Sequence, residues 1–537
     1  MHEFEIVLVL LAAVVALATL ARRIGVPYPI LLVLGGLVLA FVPGLPEVEL
    51  EPEIVFVVFL PPLLFSSAYF TSWRDFRANI RPIGLLAVGL VLATVVGVAV
   101  VAHFVAGLSW PAAFVLGAIV SPTDAIAATS IAQSLGVPRR IVTLLEGESL
   151  VNDATGIVAY RIAAGVAAGA FAFSLSEAAL QFVVGAVGGV AVGLAVGWVT
   201  VRAIALLDDT PVEIVITLLA PFAAYLAAEE GPHLLWHELL GFPGEPFFSG
   251  VLAAVAGGIY VGRMSPALMS SSSRLEGGAV WTVVVFLLNG LAFALIGLQL
   301  PGVLEGLADG AYTVAELVLY AAIVSLAVIL VRMAWVFPAT YLPRLAFRSI
   351  RERDPSPPWR SVTIIAWAGM RGVISLAAAL ALPLTVPDRD LILFLTFSVI
   401  LATLVLQGLS LPALIRLLGL EDDGSTEREE TKGRIQVAAA ALERIEELAE
   451  EEWVREDTAE RVRGMYNYRR GRFVARFDGE DGDGIEERSA AYQRLMHELL
   501  RAQRAELIRL RNEGEIGDEA MHRIERDLDL EETRLEI

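Results

Sequence analysis

The sequence predicts an all-α, polytopic membrane protein that continues into a helical cytoplasmic domain. Apolar residues make up 56% of the 537 residues and the mean hydropathy is +0.66, as expected of an integral membrane protein. Apolar stretches of about 20 residues, enough helix to cross the hydrocarbon core, follow one another up to residue 418. At Glu421 the hydropathy collapses, and amphipathic helical periodicity remains.

We place about thirteen transmembrane helices by taking these apolar stretches in order. They cover residues 4–22, 26–44, 52–70, 82–106, 111–134, 139–168, 177–205, 211–228, 247–262, 279–301, 312–340, 360–382 and 389–418. The first stretch ends at Arg22 and Arg23 without a small-residue cleavage pattern, so we expect a retained helix rather than a signal peptide. The exact boundaries within 247–301 stay open, because paired glycines interrupt that region.

The distribution of arginines predicts the orientation in the membrane. One set of alternate loops carries fifteen arginines, whereas the opposite set carries Arg389 alone. Because positively charged loops stay in the cytoplasm, we expect the N-terminus outside, the C-terminus inside and an odd number of crossings. The expected location is the plasma membrane.

Residues 421–537 are predicted to form an acidic helical cytoplasmic domain with a regulatory role, separate from the transmembrane domain 1–420. This tail holds 33 acidic and 20 basic residues, and a solvated domain explains such a charge excess. Its amphipathic segments 431–455, 456–477 and 486–535 are broken by an Asp/Gly-rich stretch. The sequence does not identify a regulatory ligand or protein for this domain.

Composition excludes several classes of function. The chain has no cysteine, which excludes disulfides, thiolate metal sites and cysteine nucleophiles. A formal net charge of −20 argues against nucleic-acid binding, which needs a basic surface. No GxxxxGK[ST] motif is present, so we expect neither ATP-driven transport nor a bound cofactor.

The fifth apolar stretch contains Ser121-Pro122-Thr123-Asp124 at membrane depth. Pro122 removes a helical hydrogen bond and is expected to break the helix. Free backbone oxygens at that depth are tolerated where they line a polar cavity, as in the broken helices of transporters. Thr123 and Asp124 therefore offer a carbonyl and a carboxylate, hard oxygen ligands that suit an alkali cation or a proton.

The sixth stretch carries two polar pairs at helical i, i+4 spacing, Ser149 with Asp153 and Glu148 with Asn152. The first pair places a hydroxyl beside a carboxylate, and the second is expected to orient Asp153. A polar seam between helices explains Ser149 and Asn152. It explains the acids poorly, because a carboxylate at the bilayer centre costs about 2.5–3.5 kcal/mol on the insertion scale.

The twelfth stretch contains Gly369-Met370-Arg371-Gly372, a second interruption that mirrors the fifth stretch counted from the other end. Paired interrupted helices indicate inverted repeats and two broken helices that cross. Arg371 needs an anionic partner, and we expect Glu148 to be that partner. Arg332 and Arg161 are also arginines within apolar stretches, and either is able to snorkel toward an interface.

If Glu148 and Arg371 neutralise each other, Asp124 and Asp153 remain as carriers. Burial raises the pKa of a carboxylate and a bound cation lowers it, so that a proton and a cation compete for the same oxygens. A site that crosses the membrane only when loaded with one of the two ions is an exchanger.

Five motifs resemble those of the NhaP/NHE-type sodium/proton antiporters of the monovalent cation:proton antiporter-1 family. They are FLPPLLF at 59–65, SPTDAIA at 121–127, LGVPRRIVTLLEGESLVNDATGIV at 135–158, FLLNGLAFALIGLQLP at 286–301 and AWAGMRGVISLAAALALP at 366–383. The resemblance implies a homodimer in which a mobile core moves like an elevator against a dimerisation part. It implies Asp153 as the essential acid, with Thr123, Asp124 and Ser149 as further Na⁺ ligands and with Glu148, Asn152 and Arg371 as a supporting network. It also associates the Asn152–Asp153 pair with electroneutral exchange and suggests a role in pH and sodium homeostasis.

One departure from the family pattern leaves the choice of ion open. Similar proteins often carry an acid directly after FLPPLLF, whereas Ser66 and Ser67 stand there in this chain. We expect Na⁺ or Li⁺ to be exchanged for H⁺, with K⁺/H⁺ exchange as the alternative within the same fold. Two other classes are an intramembrane aspartyl hydrolase using Asp124 and Asp153, and a non-transporting sensor with the tail as its output.

Overall fold

The computed structural model describes residues 2–42, 52–207, 209–233, 248–307, 312–420, 424–478 and 485–535. These residues form helices and connecting turns, with no β-strand among them. The predicted all-α class is therefore confirmed over the described residues. The chain divides into two compact units, Met1–Glu421 and Asp422–Ile537.

The first unit contains eighteen helices over its described residues. They are α1 (His2–Ile24), α2 (Tyr28–Leu39), α3 (Val55–Phe70, preceded by the turn Pro52–Ile54), α4 (Trp73–Ala78), α5 (Ile80–Ala106), α6 (Trp110–Ile119), α7 (Ala125–Ser134), α8 (Arg139–Ala167), α9 (Leu175–Ile204), α10 (Thr210–His233), α11 (Gly250–Leu268), α12 (Ser271–Leu298), α13 (Leu300–Glu305), α14 (Val314–Ala346), α15 (Arg348–Arg353), α16 (Trp359–Trp367), α17 (Val373–Leu380) and α18 (Arg389–Leu418). Each of the thirteen predicted stretches coincides, over its described residues, with one helix or with two successive helices.

Seven of these helices are long and apolar enough to cross a membrane, namely α5, α9, α10, α11, α12, α14 and α18. Some of the other predicted crossings are not in this set because their helices are interrupted or carry buried charges. The pairs α6/α7 and α16/α17 are interrupted, and α8 carries Glu146, Glu148 and Asp153 within its apolar length. The total of thirteen crossings stays a prediction.

The helices of the first unit pack in two groups. In the core group, α5 packs against α6 and α14, α6 packs against α8, and α14 packs against α16 and α18. In the scaffold group, α2 packs against α12, and α11 packs against α3, α9 and α10. A stripe of buried glycines on α9, at every fourth residue from Gly185 to Gly197, permits its close packing, as small residues do between membrane helices.

The two predicted helix interruptions are present, and they meet. α6 ends at Ile119 and α7 begins at Ala125, while α16 ends at Trp367 and α17 begins at Val373. The backbone N–H of Asp124 donates to the carbonyl oxygen of Met370 at 2.9 Å. The prediction of two broken helices that cross is therefore confirmed, whereas the inverted-repeat relationship stays a prediction.

The second unit consists of α19 (Ser425–Leu448), α20 (Glu456–Asp478), α21 (Ile485–Asn512) and α22 (Asp518–Leu535). α19 packs against α20, and α21 packs against α22. Leu500, Leu507, Met521 and Leu528 form a small apolar cluster between the last two helices. Arg504 bridges the same pair through ion pairs of 2.6 Å to Asp529 and 2.6 Å to Glu532.

Candidate functional site: a cation site at the crossing of two interrupted helices

Asp124 lies at the N-termini of two half-helices. Its carboxylate accepts a hydrogen bond from the backbone N–H of Ile126 at 2.9 Å and so caps α7. Gly372 precedes α17, and a Cβ placed on it would collide with the Asp124 carboxylate. Helix N-termini carry partial positive charge, so this carboxylate is stabilised by both half-helices. Only a residue without a side chain permits so close an approach.

Two arginines bind the C-terminal ends of the first half-helices, α6 and α16, whereas Asp124 lies at the N-termini of the second half-helices. The Nη1 of Arg371 donates to the carbonyl oxygen of Ser121, just beyond the end of α6. Arg332 donates to the carbonyl oxygen of Ile365, in the last turn of α16, from Nε at 3.2 Å and from Nη2 at 2.9 Å. Helix C-termini carry partial negative charge and unpaired carbonyls, so a guanidinium stabilises the C-terminal end of each first half-helix, α6 and α16.

Glu148 pairs with Arg332, and the expected Glu148–Arg371 pair is wrong. The Nη2 of Arg332 donates to Oε2 of Glu148 at 2.9 Å, and its Nη1 donates to Oε1. Both side chains are only 1% exposed, so Arg332 does not snorkel. Arg161, which is 43% exposed, instead pairs with Glu229 at 2.8 Å. Arg371 is turned to Ser121, and its Nε and Nη2 have no hydrogen-bond partner among the described residues.

Thr123 is the centre of a second hydrogen-bond network. Its hydroxyl donates to Oε1 of Glu148 at 2.8 Å and accepts from Nδ2 of Asn152 at 2.5 Å. Its carbonyl oxygen accepts from the Ser149 hydroxyl at 3.0 Å. Glu148 and Asn152 therefore orient Thr123, which corrects the expectation that they orient Asp153.

Asp153 faces a cavity of about 130 Å³. The side chain is 2% exposed, and its Oδ1 has no hydrogen-bond partner among the described residues. The cavity is also lined by Thr123, Asp124 and Ser149. The structure thus brings the four predicted ion ligands to one cavity, and a buried carboxylate oxygen in it is free to accept a proton or a cation.

The cavity lies between the two helix groups and opens at one end. α8 contributes Glu146, Ser149, Leu150 and Asp153, all on one face between its arginine-bearing N-terminus and its middle. At this end the lining residues Glu146 and Ser67 are accessible to solvent, whereas Val55 and Phe59 at the other end are buried. The open end is therefore the one near Arg139.

Ser66, the position on α3 that departs from the family pattern, is buried but does not line the cavity. Ser66 is 3% exposed and its hydroxyl donates to the carbonyl oxygen of Leu63, in its own helix, at 2.9 Å. Its neighbour Ser67 lines the cavity.

Among the lining residues that sequence reasoning missed are Glu146 and Asn289, and it also missed the role of Arg332. Glu146 lies three residues before Ser149 and seven before Asp153, a helical spacing that was readable as one polar face. Asn289 lies within the FLLNGLAF motif, where an amide among apolar residues was a readable signal. For Arg332 no local pattern existed, because its partner lies 184 residues away.

Broken helices that cross around buried carboxylates and arginines define the class of this protein, a secondary transporter. A sequence profile of the family described as "Sodium/hydrogen exchanger, transmembrane" matches residues 9–417. The chain belongs to this family and is a multi-pass membrane antiporter. That membership gives no support to an intramembrane aspartyl hydrolase.

Named relatives agree with this assignment. An uncharacterized Na⁺/H⁺ exchanger of Mycobacterium tuberculosis is 34% identical over 538 residues, covering 99% of this chain and 96% of that protein. The Na⁺/H⁺ antiporter ApNhaP of Aphanothece halophytica is 33% identical and covers 83% and 80%, respectively. A sodium, potassium, lithium and rubidium/H⁺ antiporter of Bacillus pumilus is 36% identical and covers 77% and 61%.

The fold is also similar to a solved structure, the sodium proton antiporter MjNhaP1 from Methanocaldococcus jannaschii at pH 8. The TM-score is 0.61 at 20% sequence identity, and the match covers 78% of this chain and 100% of that one. This likeness supports the fold of the membrane unit.

Proposed function

We propose that the protein exchanges Na⁺ or Li⁺ for H⁺ across the plasma membrane by letting the two ions compete for Asp153 and Asp124. The observation that carries the proposal is the unpartnered Oδ1 of buried Asp153, in a cavity shared with Thr123, Asp124 and Ser149. Carboxylate, hydroxyl and carbonyl oxygens are hard ligands of the kind that alkali cations prefer. A proton on Asp153 removes the charge that holds the cation, so one ion displaces the other.

The charges at the crossing support electroneutral, one-for-one exchange. Asp124, Glu148 and Asp153 face two guanidiniums, those of Arg332 and Arg371, which leaves one negative charge when all five are ionised. One Na⁺ or one H⁺ neutralises this charge. Both loaded forms then cross the low-dielectric membrane with the same charge, whereas the empty form carries an uncompensated one.

The division into two helix groups supports an elevator-type movement. The acids and arginines lie on the core group, and α2, α3 and α9–α12 form the scaffold group, so that a movement of one group against the other carries the site. The open end of the cavity lies near Arg139, which the positive-inside rule places in the cytoplasm. The described conformation is then the inward-facing one, with the N-terminus outside and the scaffold group forming a homodimer in lipid.

The choice among cations rests on the relatives and on Ser66. The relative from Aphanothece halophytica is named for Na⁺, whereas the one from Bacillus pumilus is named for sodium, potassium, lithium and rubidium. Serines at positions 66 and 67, of which Ser67 lines the cavity, leave this part of α3 without a carboxylate, so α3 supplies no charged ligand to the ion. K⁺/H⁺ exchange is therefore the second candidate function.

The test is ion exchange in reconstituted vesicles that contain a pH-sensitive dye. Na⁺, Li⁺, K⁺ and choline are added in turn to the wild type and to Asp153→Asn. We expect cation-dependent proton movement in the wild type and its loss in the variant. The reason is that the amide of asparagine neither ionises nor takes up and releases a proton in this pH range. Unchanged rates at several clamped membrane potentials support electroneutrality. Proton movement that survives in Asp153→Asn contradicts the proposed site.

A further inference from the structure

Asn289 lines the cavity that holds Asp153, and its side-chain oxygen is buried without a hydrogen-bond partner among the described residues. The side chain lies on α12 and is 3% exposed. Its Oδ1 has no hydrogen-bond partner among the described residues, and the residue lines the same cavity as Asp124, Ser149 and Asp153. Leaving a buried acceptor unpaired costs about 1–3 kcal/mol, so this amide is expected to have a partner when the cavity is occupied.

The surroundings of Asn289 hold the amide in place. It lies beside Tyr28 of α2. α2 and α12 pack backbone against backbone, since a Cβ on Gly36 would collide with the Ala294 carbonyl and one on Gly297 with the Val33 carbonyl. Such packing leaves little room for the helices to shift. The unpaired oxygen is therefore positioned by two helices rather than by a flexible loop.

Asn289 and the acids that line the cavity belong to different helix groups. The carboxylates of Asp124 and Asp153 belong to the core group, whereas α12 and α2 belong to the scaffold group. A neutral amide oxygen is a hard ligand for a cation. It does not compete for a proton as a carboxylate does, because the amide has no proton-accepting charge. Its contribution therefore favours the cation-loaded form over the proton-loaded form.

We infer that Asn289 Oδ1 is a further cation ligand, which the scaffold group supplies in the described conformation, and that it raises the affinity for alkali cations on the side to which the cavity opens. This inference rests on the proposed exchange at Asp153. Because Asn289 is neutral, its removal leaves the charge of the site, and hence the stoichiometry, unchanged. The loss is expected in cation affinity rather than in the maximal exchange rate.

The experiment compares two variants of nearly equal size, Asn289→Leu and Asn289→Asp, in reconstituted vesicles. Asn289→Leu removes the oxygen, and we expect the apparent KM for Na⁺ at the open face to rise about tenfold, the effect of losing one polar contact of about 1.4 kcal/mol. The maximal rate and the KM at the other face are expected to stay within about twofold of the wild-type values.

Asn289→Asp keeps an oxygen at the same place, so the KM for Na⁺ is expected to stay at or below that of the wild type. Thr282→Ala on the same helix is the control, because that exposed hydroxyl donates to the Gly278 carbonyl of its own helix.

A second readout separates binding from packing. Na⁺ added to the detergent-solubilised protein is expected to raise the thermal unfolding midpoint of the wild type, as a ligand that binds only the folded state does. This Na⁺-dependent increase should shrink in Asn289→Leu and persist in Asn289→Asp, whatever the midpoint without Na⁺.

The outcomes distinguish the inference from the function on which it rests. Equal KM values for Na⁺ in the wild type and Asn289→Leu overturn the inference. Equal increases in both variants overturn it as well, since they assign Asn289 a packing role. Exchange that survives in Asp153→Asn, measured alongside, overturns the proposed function itself.

Discussion

Glu148 is held by one partner on another helix and by a second partner in a helix interruption. Arg332 of α14 binds both of its carboxylate oxygens, and the Thr123 hydroxyl donates to one of them at 2.8 Å. With both charges 1% exposed, removing one partner leaves the other buried and uncompensated, which costs about 3–5 kcal/mol. The pair thereby fixes Thr123, which lines the cavity with Asp153.

Substitutions at this pair are expected to be strongly non-additive. Glu148→Gln and Arg332→Gln should each lower the thermal unfolding midpoint and the exchange rate, because each leaves one buried charge unpaired. The double variant removes both charges and is expected to be no less stable than either single variant. Unfolding midpoints in detergent and exchange in vesicles measure both effects.

The matched control is the cycle of Glu148→Gln with Arg371→Gln, residues that form no hydrogen bond with each other in the described structure. Effects in that cycle are expected to be closer to additive. If the effects of Glu148→Gln and Arg332→Gln are additive while those of Glu148→Gln and Arg371→Gln are strongly coupled, Glu148 pairs with Arg371, as expected from the sequence.

At the scale of the elements, a single acid joins three helices at their arginine-bearing ends. Asp354 follows α15 and binds Arg81 of α5 at 2.7 Å, Arg140 of α8 at 2.6 Å and Arg344 of α14 at 2.6 Å. α8 carries Asp153 and α14 carries Arg332, so this ion-pair cluster connects the helices that build the site. All three helices belong to the core group, so the cluster ties that group together.

The Asp354 cluster has a defined pH dependence. Partial burial acts to raise the pKa of Asp354, but the hydrogen bond and charge of Arg140, with the charges of Arg344 and Arg81, outweigh it and hold the pKa below its ordinary value. A lowered pKa means that the cluster stabilises the folded state above the unfolded pKa of about 4. This contribution is lost as the pH falls through the folded pKa.

We therefore expect Asp354→Asn to destabilise the protein at pH 7 by about 1 kcal/mol, the upper range for partly exposed pairs. The difference between wild type and variant should disappear as the pH falls below 4. Thermal unfolding at a series of pH values measures it, with Glu352→Gln as the control, since Glu352 pairs only with exposed Arg348 at i, i+4 among the ion pairs described. A difference that stays constant down to pH 3 would contradict the ionic origin.

At the scale of the whole molecule, the two units have separate interiors. The membrane unit is built on clusters that join many helices, whereas the second unit has its own apolar cluster around Leu500 and Leu507 and its own ion pairs, such as Arg463 with Glu446 at 2.7 Å. The acidic composition and helical hairpins of the second unit favour a role outside the transport step itself.

Truncation after Leu420 is expected to leave Asp153-dependent exchange in place and to shift its dependence on pH or on cation concentration. The physical reason is that all the proposed ion ligands and their partners lie before residue 421. Exchange rates of the full and truncated chains in vesicles, measured from pH 6 to pH 9, test this prediction. Identical profiles would exclude regulation by the tail, and full transport without it would also exclude the sensor alternative.

The sequence by itself determined the helices, their interruptions and most of the residues at the site. A helix in lipid must satisfy its backbone hydrogen bonds within its own length, so apolar length and breaking residues such as Pro122 are local signals. The spacing of Ser149 and Asp153 on one helix face is equally local. The family motifs by themselves imply Thr123 and Asp124 as further ligands beside this pair.

Only the tertiary structure decided which charges meet. Arg332 and Arg371 have the same side chain and both lie in apolar stretches, so nothing local distinguishes their partners. The packing of α14 against the core group brings Arg332 to Glu148 over 184 residues and leaves Arg371 to the Ser121 carbonyl. Asn289 likewise joins the site only through tertiary packing, because α12 packs against α3 and α17, which both line the cavity. Electrostatic partners depend on distance in space, which sequence separation does not specify.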